Sequence, residues 1–562
     1  MSNSATSSPI SLSRGVRTTL KGRVADPGAC GEVRALLGDD PRRRDLLIEY
    51  LHRIQDSYGH ISAAHLVALA AEMKLAMAEV YEVATFYHHF DVVKEGDTVP
   101  PVLTVRICES LSCELAGAQT LLQKLPAILG AAARVISAPC MGRCHAAPVA
   151  VVGQNPVDNA TPISVAATVT AKAIKSELTD YIHYQQYRAS GGYQTLLDCV
   201  NGQRGVESVI ATMECAGLRG LGGAGFPAGR KWRMVRAAPA PRLLVVNIDE
   251  SEPGTFKDRT YLERDPHRFI EGMLIAAWAV DIHAVYIYLR DEYAGCRALL
   301  SRELAALHAD PPCTLPTIHL RRGAGAYICG EESALIESIE GKRGMPRLRP
   351  PYVAQVGLFG RPTLAHNMET LYWVRDILEQ GAGWFASQGR RGRKGLRSFS
   401  VSGRVQQPGV YRAPAGVTLR ELINEYAGGM LPGHELYAYL PGGAAGGILP
   451  ASLGDLPLDF DTLNEYGCFI GSAAIIILSQ HDKARDAALN AMRFFAKESC
   501  GQCTPCRVGT DKAATLLAAA KWDQGLLEEL SQVMADASIC GLGQAAPNPI
   551  RCVINYFSHE IA

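Results

Sequence analysis

At 562 residues the chain exceeds one ordinary domain, and a prior of roughly one domain per 150 residues sets the expectation at three to five. With 48% hydrophobic and 20% charged residues, 54 Gly and 31 Pro, the composition is globular and excludes collagen-like, coiled-coil and wholly disordered architectures. Lys plus Arg equals Asp plus Glu at 56 each, which leaves no electrostatic footprint for nucleic acid and suits a subunit buried in a larger assembly.

Residues 1–36 are Ser/Thr/Arg-rich without an apolar h-region, so they read as an N-terminal extension, flexible or docked on a partner, rather than a secretory signal; a short amphipathic transit peptide stays open. From 37 to 98 apolar positions recur at helical spacing, first Leu46, Leu47, Tyr50, Leu51 and Ile54, then one helix over Leu66 to Tyr87. Over 99–180 the run Val102 to Ile107 predicts a strand that delivers Cys108, Leu115 to Leu129 a helix, and Arg134 to Ser137 a strand that delivers Cys140. A polar stretch, Tyr181 to Gly192, links to an α/β unit over 193–390, with strands at Arg242 to Ile248 and Val285 to Leu289. Short strands with Pro-Gly and Gly-Gly turns over 391–480 predict a small β-rich or ubiquitin-like module, and 481–562 returns to helices. The longest apolar runs, around Met273 to Val280 and Ile475 to Leu478, are far too short to span a bilayer, so the expectation is a cytoplasmic protein with no membrane span.

The chain holds 16 cysteines, too sparse for a disulfide-stapled secreted scaffold. Eight fall in two constellations. Cys500, Cys503 and Cys506 form C-x2-C-x2-C with Cys540 remote, which favours a single 4Fe-4S cluster over four-cysteine zinc. Cys108-x4-Cys113 and Cys140-x3-Cys144 offer two loops with a longer arc than zinc ribbons use, which favours 2Fe-2S, with zinc next. The other eight, Cys30, Cys199, Cys215, Cys296, Cys313, Cys329, Cys468 and Cys552, read as ordinary thiols.

Gly220, Gly222 and Gly225 match G-x-G-x-x-G, but a helical run, Val206 to Cys215, precedes them and Phe226-Pro follows, so the dinucleotide context fails; what remains is a loop able to approach a flat ring or phosphate, followed by Arg230 and Lys231. A tight structural turn is the alternative. The strand ending at Val246 delivers Asn247, Asp249, Glu250 and Glu252, polar groups beyond a strand carboxyl end where α/β proteins bind ligands. Two more Gly-rich or polar segments, Gly323 to Glu332 and Arg361 to Thr370, join them.

With these motifs on view, the sequence resembles a fusion of two electron-input proteins of respiratory complex I, its 24-kDa-type 2Fe-2S and 51-kDa-type flavoprotein subunits, over residues 40 to 560. The resemblance is carried by Val80 to Tyr87, both cysteine-pair motifs, GLRGLGGAGFP, the NIDESEPGTFKDR run from Asn247, GAYICGEE and ESCGQCTPCR. The fused architecture is similar to the β subunit of NAD-dependent molybdenum or tungsten formate dehydrogenases, with Arg42 to Glu49, Phe90 to Gly96 and Asp459 to Ala474 nearest to it, and less closely to the diaphorase subunit of NAD-reducing hydrogenases. It implies a multidomain α/β protein: a helical unit, a thioredoxin-like 2Fe-2S domain (99–180), a Rossmann-like FMN/NAD domain, a ubiquitin-like soluble-ligand-binding-type module and a C-terminal helical bundle with 4Fe-4S.

The implied ligands are Cys108, Cys113, Cys140 and Cys144 for 2Fe-2S, and Cys500, Cys503, Cys506 and Cys540 for 4Fe-4S. Gly220, Gly222, Gly223, Lys231, Asn247, Asp249, Glu250, Tyr327, Gly330, Glu331 and Asn367 would contact FMN, while Phe226, Lys231, Glu252, Glu332 and Tyr352 would lie on the NAD(H) side, Phe226 and Tyr352 stacking on adenine. Glu250 and Glu332, at the catalytic centre, would orient and stabilise rather than abstract a proton, since hydride transfer needs alignment. The implied partner is a catalytic α subunit carrying molybdopterin with tungsten or molybdenum and further Fe-S clusters. Leu221 stands where arginine is usual, His366 where asparagine is usual and Tyr352 where phenylalanine is usual. The first two motivate a rival reading, an assembly subunit with a decayed flavin site; a zinc-dependent scaffold is a third.

Overall fold

The computed structural model describes residues 23–178 and 180–561. Most of the expected N-terminal extension lies outside them, but its end is a helix. α1 (Pro27–Leu37) is capped by Asp26, whose side chain accepts from Ala29 N at 2.8 Å, and it buries Ala29, Val33 and Leu37. α2 (Leu47–Tyr58), α3 (Ala63–Met73) and α4 (Met77–Phe86) complete the unit. The single helix expected over 66–87 is broken because Lys74 sits at φ 55 and turns its N–H back on Ala70 and Ala71; with no Gly or Pro there, the sequence carries no break signal.

The next sheet holds β1 (Thr104–Cys108), β2 (Arg134–Ala138), β3 (Ala150–Val152) and β4 (Asn155–Val157) in the order β2-β1-β3-β4, with β1 parallel to β2 and antiparallel to β3. α5 (Ala118–Leu129) and α6 (Pro162–Thr170) cover it through Leu121, Leu125 and Val165, packed on Val105 and Ile107. Both cysteine pairs lie at the ends of parallel β1 and β2.

The stretch expected to be a polar linker, Tyr181 to Gly192, is fastened down instead, together with Tyr193 just beyond it. Tyr181, Tyr184, Tyr187 and Tyr193 are buried, and their hydroxyls reach Glu303 (Tyr181, 2.6 Å), Glu271 (Tyr187, 2.7 Å) and His267 Nδ1 (Tyr193, 2.8 Å). Tyrosine presents an apolar body and a polar tip, which is why a polar-looking segment docks here.

α7 (Val206–Ala216) and α8 (Ala228–Arg236) bracket the glycine loop. The sheet beside them is wholly parallel: β5 (Arg242–Ile248), β6 (Ile282–Leu289), β7 (Thr317–Arg322) and β8 (Thr363–Asn367), in the order β8-β5-β6-β7. Its period-two pattern divides two cores. Leu244, Val246, Ile248, Val285 and Ile287 face α9 (Pro266–Val280), α10 (Ala294–Ala309) and α12 (Met368–Gln380), while Leu243, Val245, Ala284, Tyr286 and Tyr288 face α1 to α4 together with α11 (Glu332–Ile339). The helical unit is thus one of the two layers covering the sheet.

β9 (Leu396–Gly403), β10 (Gly409–Pro414), β11 (Leu436–Leu440), β12 (Leu449–Pro450) and β13 (Ala474–Ser479) form a second sheet in the order β10-β9-β13-β11-β12. The Ile475 to Leu478 run is its buried central strand, and Met273 to Val280 belongs to buried α9. Among the described residues no helix is long and apolar enough to cross a membrane. α13 (Ala484–Glu498), α14 (Thr504–Leu517), α15 (Gln524–Ala537) and α16 (Asn548–Tyr556) close the chain and share a core with the linker, the parallel sheet and the β module.

Candidate flavin cleft and cluster sites

The loop between α7 and α8 is closed by Gly220 N to Phe226 O (2.8 Å) and Gly225 N to Gly220 O (3.1 Å). Gly223 (φ 128) and Gly225 (φ 65) occupy the left-handed region, and a Cβ on Gly222 would stand 2.9 Å from the Cβ of Asn367. Glycine is therefore required for the loop to lie on the carboxyl ends of β5 and β8, where Asn247 and Asn367 are register partners.

Asn247 donates to Gly330 O (2.8 Å) and accepts from Asp249 N (2.9 Å); Asn367 donates to Asp258 (2.6 Å) beside fully buried Lys257, which pairs with Asp258 (2.8 Å) and Glu369 (3.0 Å). A Cβ on Gly330 would be 3.5 Å from Asp249 O. Asp249 is the conspicuous group: its Oδ2 is buried and has no hydrogen-bond partner among the described residues, and burial holds its carboxyl well above the usual range.

Glu250 accepts from Asp258 N (2.8 Å), Arg259 N (3.1 Å) and Tyr293 OH (2.8 Å), and burial, with Asp258 adding, pushes it up to about 7. Three donors make it a fixed structural acceptor. Glu252, also pushed up to about 7 by burial, accepts from Tyr327 OH and from Ala445 N (2.8 Å), and Tyr327 N in turn donates to Glu498 (2.9 Å). Glu331 caps α11 through Ser333 N and Ala334 N. Glu332 lies within ion-pair range of Lys231 (3.6 Å) and Arg349 (3.4 Å), and Lys231 donates to Ala365 O (3.1 Å). Phe226 and Tyr352 are 37% and 56% exposed, and the Arg230 guanidinium lies 5.7 Å from the Phe226 ring centroid.

Of the unusual positions, Leu221 is buried and lines a separate cavity of about 230 Å³ with Arg219, Arg393, Arg397 and Phe460, behind the glycine loop. His366 is buried and accepts from Trp232 Nε1 at 2.8 Å, and burial keeps it neutral, so its proton is on Nδ1.

Cys108, Cys113, Cys140 and Cys144 are all buried and face one another; Cys140 and Cys144 are 3.3 Å apart at sulfur. Contacts with Cys113 and Cys140, then burial, push the Cys108 thiol well up, while contacts with Cys108 and Cys144 hold Cys140 well down. The Cys140–Cys144 loop docks on the parallel-sheet domain, which sequence reasoning missed. Arg290 donates to Cys140 O (2.7 Å), Arg259 to Gly142 O (2.9 Å), and Phe256 packs on both cysteines. These partners come from segments with no spacing signal linking them to the loop.

Cys503 stands at the N-cap position of α14, Cys506 lies in its first turn and Cys540 stands at the N-cap position of a short helix over Gly541–Ala545, with the N–H groups of Leu542 and Gly543 directed at its thiol, so helix N-termini bracket the site. All four thiols of this set are half-buried, in contrast to the other set. Ser110 Oγ and His145 Nδ1 beside the first set, and Ser538 Oγ beside Cys506, are buried without hydrogen-bond partners among the described residues.

Residues 213–376 match the Nuo51 FMN-binding domain, 33–173 the thioredoxin-like [2Fe-2S] ferredoxin, 398–449 the SLBB domain and 486–562 the NADH-ubiquinone oxidoreductase-F iron-sulfur binding region. The F 2 subunit of NADH-quinone oxidoreductase in Rhizobium meliloti (strain 1021) is 39% identical over 389 residues, 66% of this chain and 92% of that protein. The chain belongs to the complex I 51-kDa-type flavoprotein family. The corresponding F subunit of Aquifex aeolicus (strain VF5) is likewise 39% identical, over 71% of this chain and 96% of its own length. The likeness extends further in a solved NAD+-reducing [NiFe]-hydrogenase in the H2-reduced state, at 31% identity and TM-score 0.80, covering 92% of each chain; the air-oxidized form gives 32% identity, TM-score 0.80 and coverage of 93% and 94%.

FMN, one 2Fe-2S and one 4Fe-4S cluster, with NADH as substrate, are the cofactor set of this fused architecture, the 2Fe-2S belonging to its thioredoxin-like domain. The residues present fit it. The cleft offers a glycine cradle and an unpartnered buried carboxyl; the first set of thiols makes sulfur contacts through Cys108, Cys113, Cys140 and Cys144, and in the second Cys503, Cys506 and Cys540 lie near Cys500, although among the described residues neither set is drawn together tightly enough to form a ready metal cage. The protein is thus an NAD(H)-dependent oxidoreductase subunit of the complex I and hydrogenase-diaphorase type.

Proposed function

We propose that this chain exchanges electrons between NAD(H) and a partner that oxidises formate, as the β subunit of an NAD-dependent formate dehydrogenase. One observation supports the electron route most directly. The loop from Asp249 to Phe256 lies between the thiol sets: Phe256 packs on Cys140 and Cys144, while Glu252 is bonded to Tyr327, whose N–H holds Glu498, two residues before Cys500. Bound flavin exchanges a hydride with nicotinamide and passes electrons singly to or from iron-sulfur centres, which carry one each.

In this reading Gly220, Gly222, Gly223, Asn247, Gly330, Glu331 and Asn367 cradle FMN, and Asp249, whose Oδ2 is buried without a partner among the described residues and whose carboxyl burial raises well above the usual range, meets the flavin's polar edge. Glu250 and Tyr327 fix the loop's path. Lys231, Glu252 and Glu332 face the nucleotide, with Phe226 and Tyr352 as stacking surfaces. Cys108, Cys113, Cys140 and Cys144 hold 2Fe-2S, and Cys500, Cys503, Cys506 and Cys540 hold 4Fe-4S at the more exposed site, nearer a partner.

Formate as donor, and a molybdopterin-bearing α subunit, rest on the stretches Arg42 to Glu49, Phe90 to Gly96 and Asp459 to Ala474. The second reading, a hydrogenase diaphorase, is favoured by likeness over 92% of the chain to the hydrogenase. Co-purification with the partner and assay of NAD+ reduction decides: formate-driven reduction upholds the proposal, hydrogen-driven reduction upholds the second reading, and protein without stoichiometric FMN upholds the decayed-site alternative.

A further inference from the structure

Arg290, in the turn after β6, is 3% exposed, and its guanidinium is engaged at Nε and both terminal nitrogens. Glu292 holds Nε at 3.1 Å and Nη2 at 2.6 Å. Nη1 donates to the backbone carbonyl of Glu250, and Nη2 to that of Cys140 at 2.7 Å. The cation also lies 5.1 Å from the ring centroid of Tyr293, whose hydroxyl holds the Glu250 carboxylate. One fixed charge therefore touches the backbone of a cluster thiol residue and the backbone of the cleft loop.

We propose that Arg290 is a positioning residue whose single buried charge serves the 2Fe-2S site and the flavin loop jointly, so that it sets their two midpoint potentials together. This rests on the reading above that the first thiol set holds 2Fe-2S and the 249–256 loop faces FMN. A nearby cation lowers the cost of adding an electron, and in a site shielded from water the effect is weakly screened. Glu292 engages Nε and Nη2, and the carbonyls accept from Nη1 and Nη2, so the pair presents cationic nitrogens to the two redox sites. The charge acts at both ends. At one end Nη2 meets the carbonyl of Cys140, a residue of the first thiol set, and at the other Nη1 meets the carbonyl of Glu250, next to Asp249. The hydrogen bonds of Arg290 go to Glu292, Glu250 and Cys140 and none of them to the second thiol set, which makes the 4Fe-4S centre an internal reference.

The test uses the full chain, purified anaerobically with its cofactors, with iron and FMN content measured first and each centre then titrated by EPR and flavin absorbance. Arg290→Gln should shift the 2Fe-2S and FMN midpoints together to lower potential, Arg290→Lys should leave both close to wild type, and Glu292→Gln should raise both, with 4Fe-4S unmoved throughout. A purely structural staple would lose cluster or flavin without shifting the potential of what remains. Both centres retained but unshifted in Arg290→Gln, a shift at only one, or equal shifts in the Lys and Gln variants would overturn the proposal. If Arg290→Gln does not fold, unchanged potentials in Glu292→Gln overturn it. Wild-type protein lacking the 2Fe-2S signal or FMN would instead refute the underlying assignment, and the inference with it.

Discussion

Burial of carboxylic acids around the cleft has a measurable cost that depends on pH. Glu252 is raised from 4.5 to about 7, so the folded chain binds its proton more tightly than the unfolded chain does. The stabilisation from the protonated form is intact below about pH 4.5 and is lost as pH climbs through about 7, a change of up to roughly 3 kcal/mol. Glu252→Gln removes the titration, so its apparent melting temperature should gain on wild type between about pH 5 and pH 7 and hold a constant offset above; parallel curves across that window would refute the burial argument. Cys503→Ala tests the division of labour between centres. It should remove about four of six irons per chain, the 4Fe-4S signal and electron exchange with the partner, while flavin and NADH oxidation by artificial acceptors persist. The thiols and the acids beyond β5 were legible from spacing and strand-end position. Their protonation was not, because it depends on neighbours such as Asp258 and Ala445 that no local pattern ties to Glu250 or Glu252.

Loops and helix ends carry the next layer of control. Gly142 sits at φ 65 in the cluster loop, and a Cβ there would stand 2.1 Å from Tyr293 OH. Gly142→Ala adds left-handed strain of about 1–2 kcal/mol and a clash no small shift relieves, so the loop should detach. The expected result is a loss of about two irons and of the 2Fe-2S signal, with the 4Fe-4S signal retained; a full 2Fe-2S signal would show that the docking is dispensable. The strands that deliver Cys108 and Cys140 were readable because alternation and turn residues are local. The break at Lys74 was not, since a lysine in the left-handed region leaves no mark in composition. Nor was the buried linker, where tyrosines that look polar in sequence enter a core through their rings.

For the whole molecule, the two-faced pattern of the parallel sheet has the widest reach. Buried runs such as Leu243 to Ile248 announce a sheet covered on both sides, but not what covers it, because one covering layer draws α1 to α4 from the N-terminal part of the chain, far in sequence from the strands. Removing residues 1–93 would uncover Leu243, Val245, Ala284, Tyr286 and Tyr288, at about 1.5–3 kcal/mol for each large side chain. The truncated chain should aggregate on size exclusion and bind an apolar dye, whereas a monodisperse, flavin-loaded product would mean that the helical layer is ornamental to the sheet. The tyrosine-fastened linker has a kinetic corollary. The carriers of the two halves are held as one solid body rather than on a leash, so electron exchange between them needs no encounter and should be indifferent to solvent viscosity and to dilution.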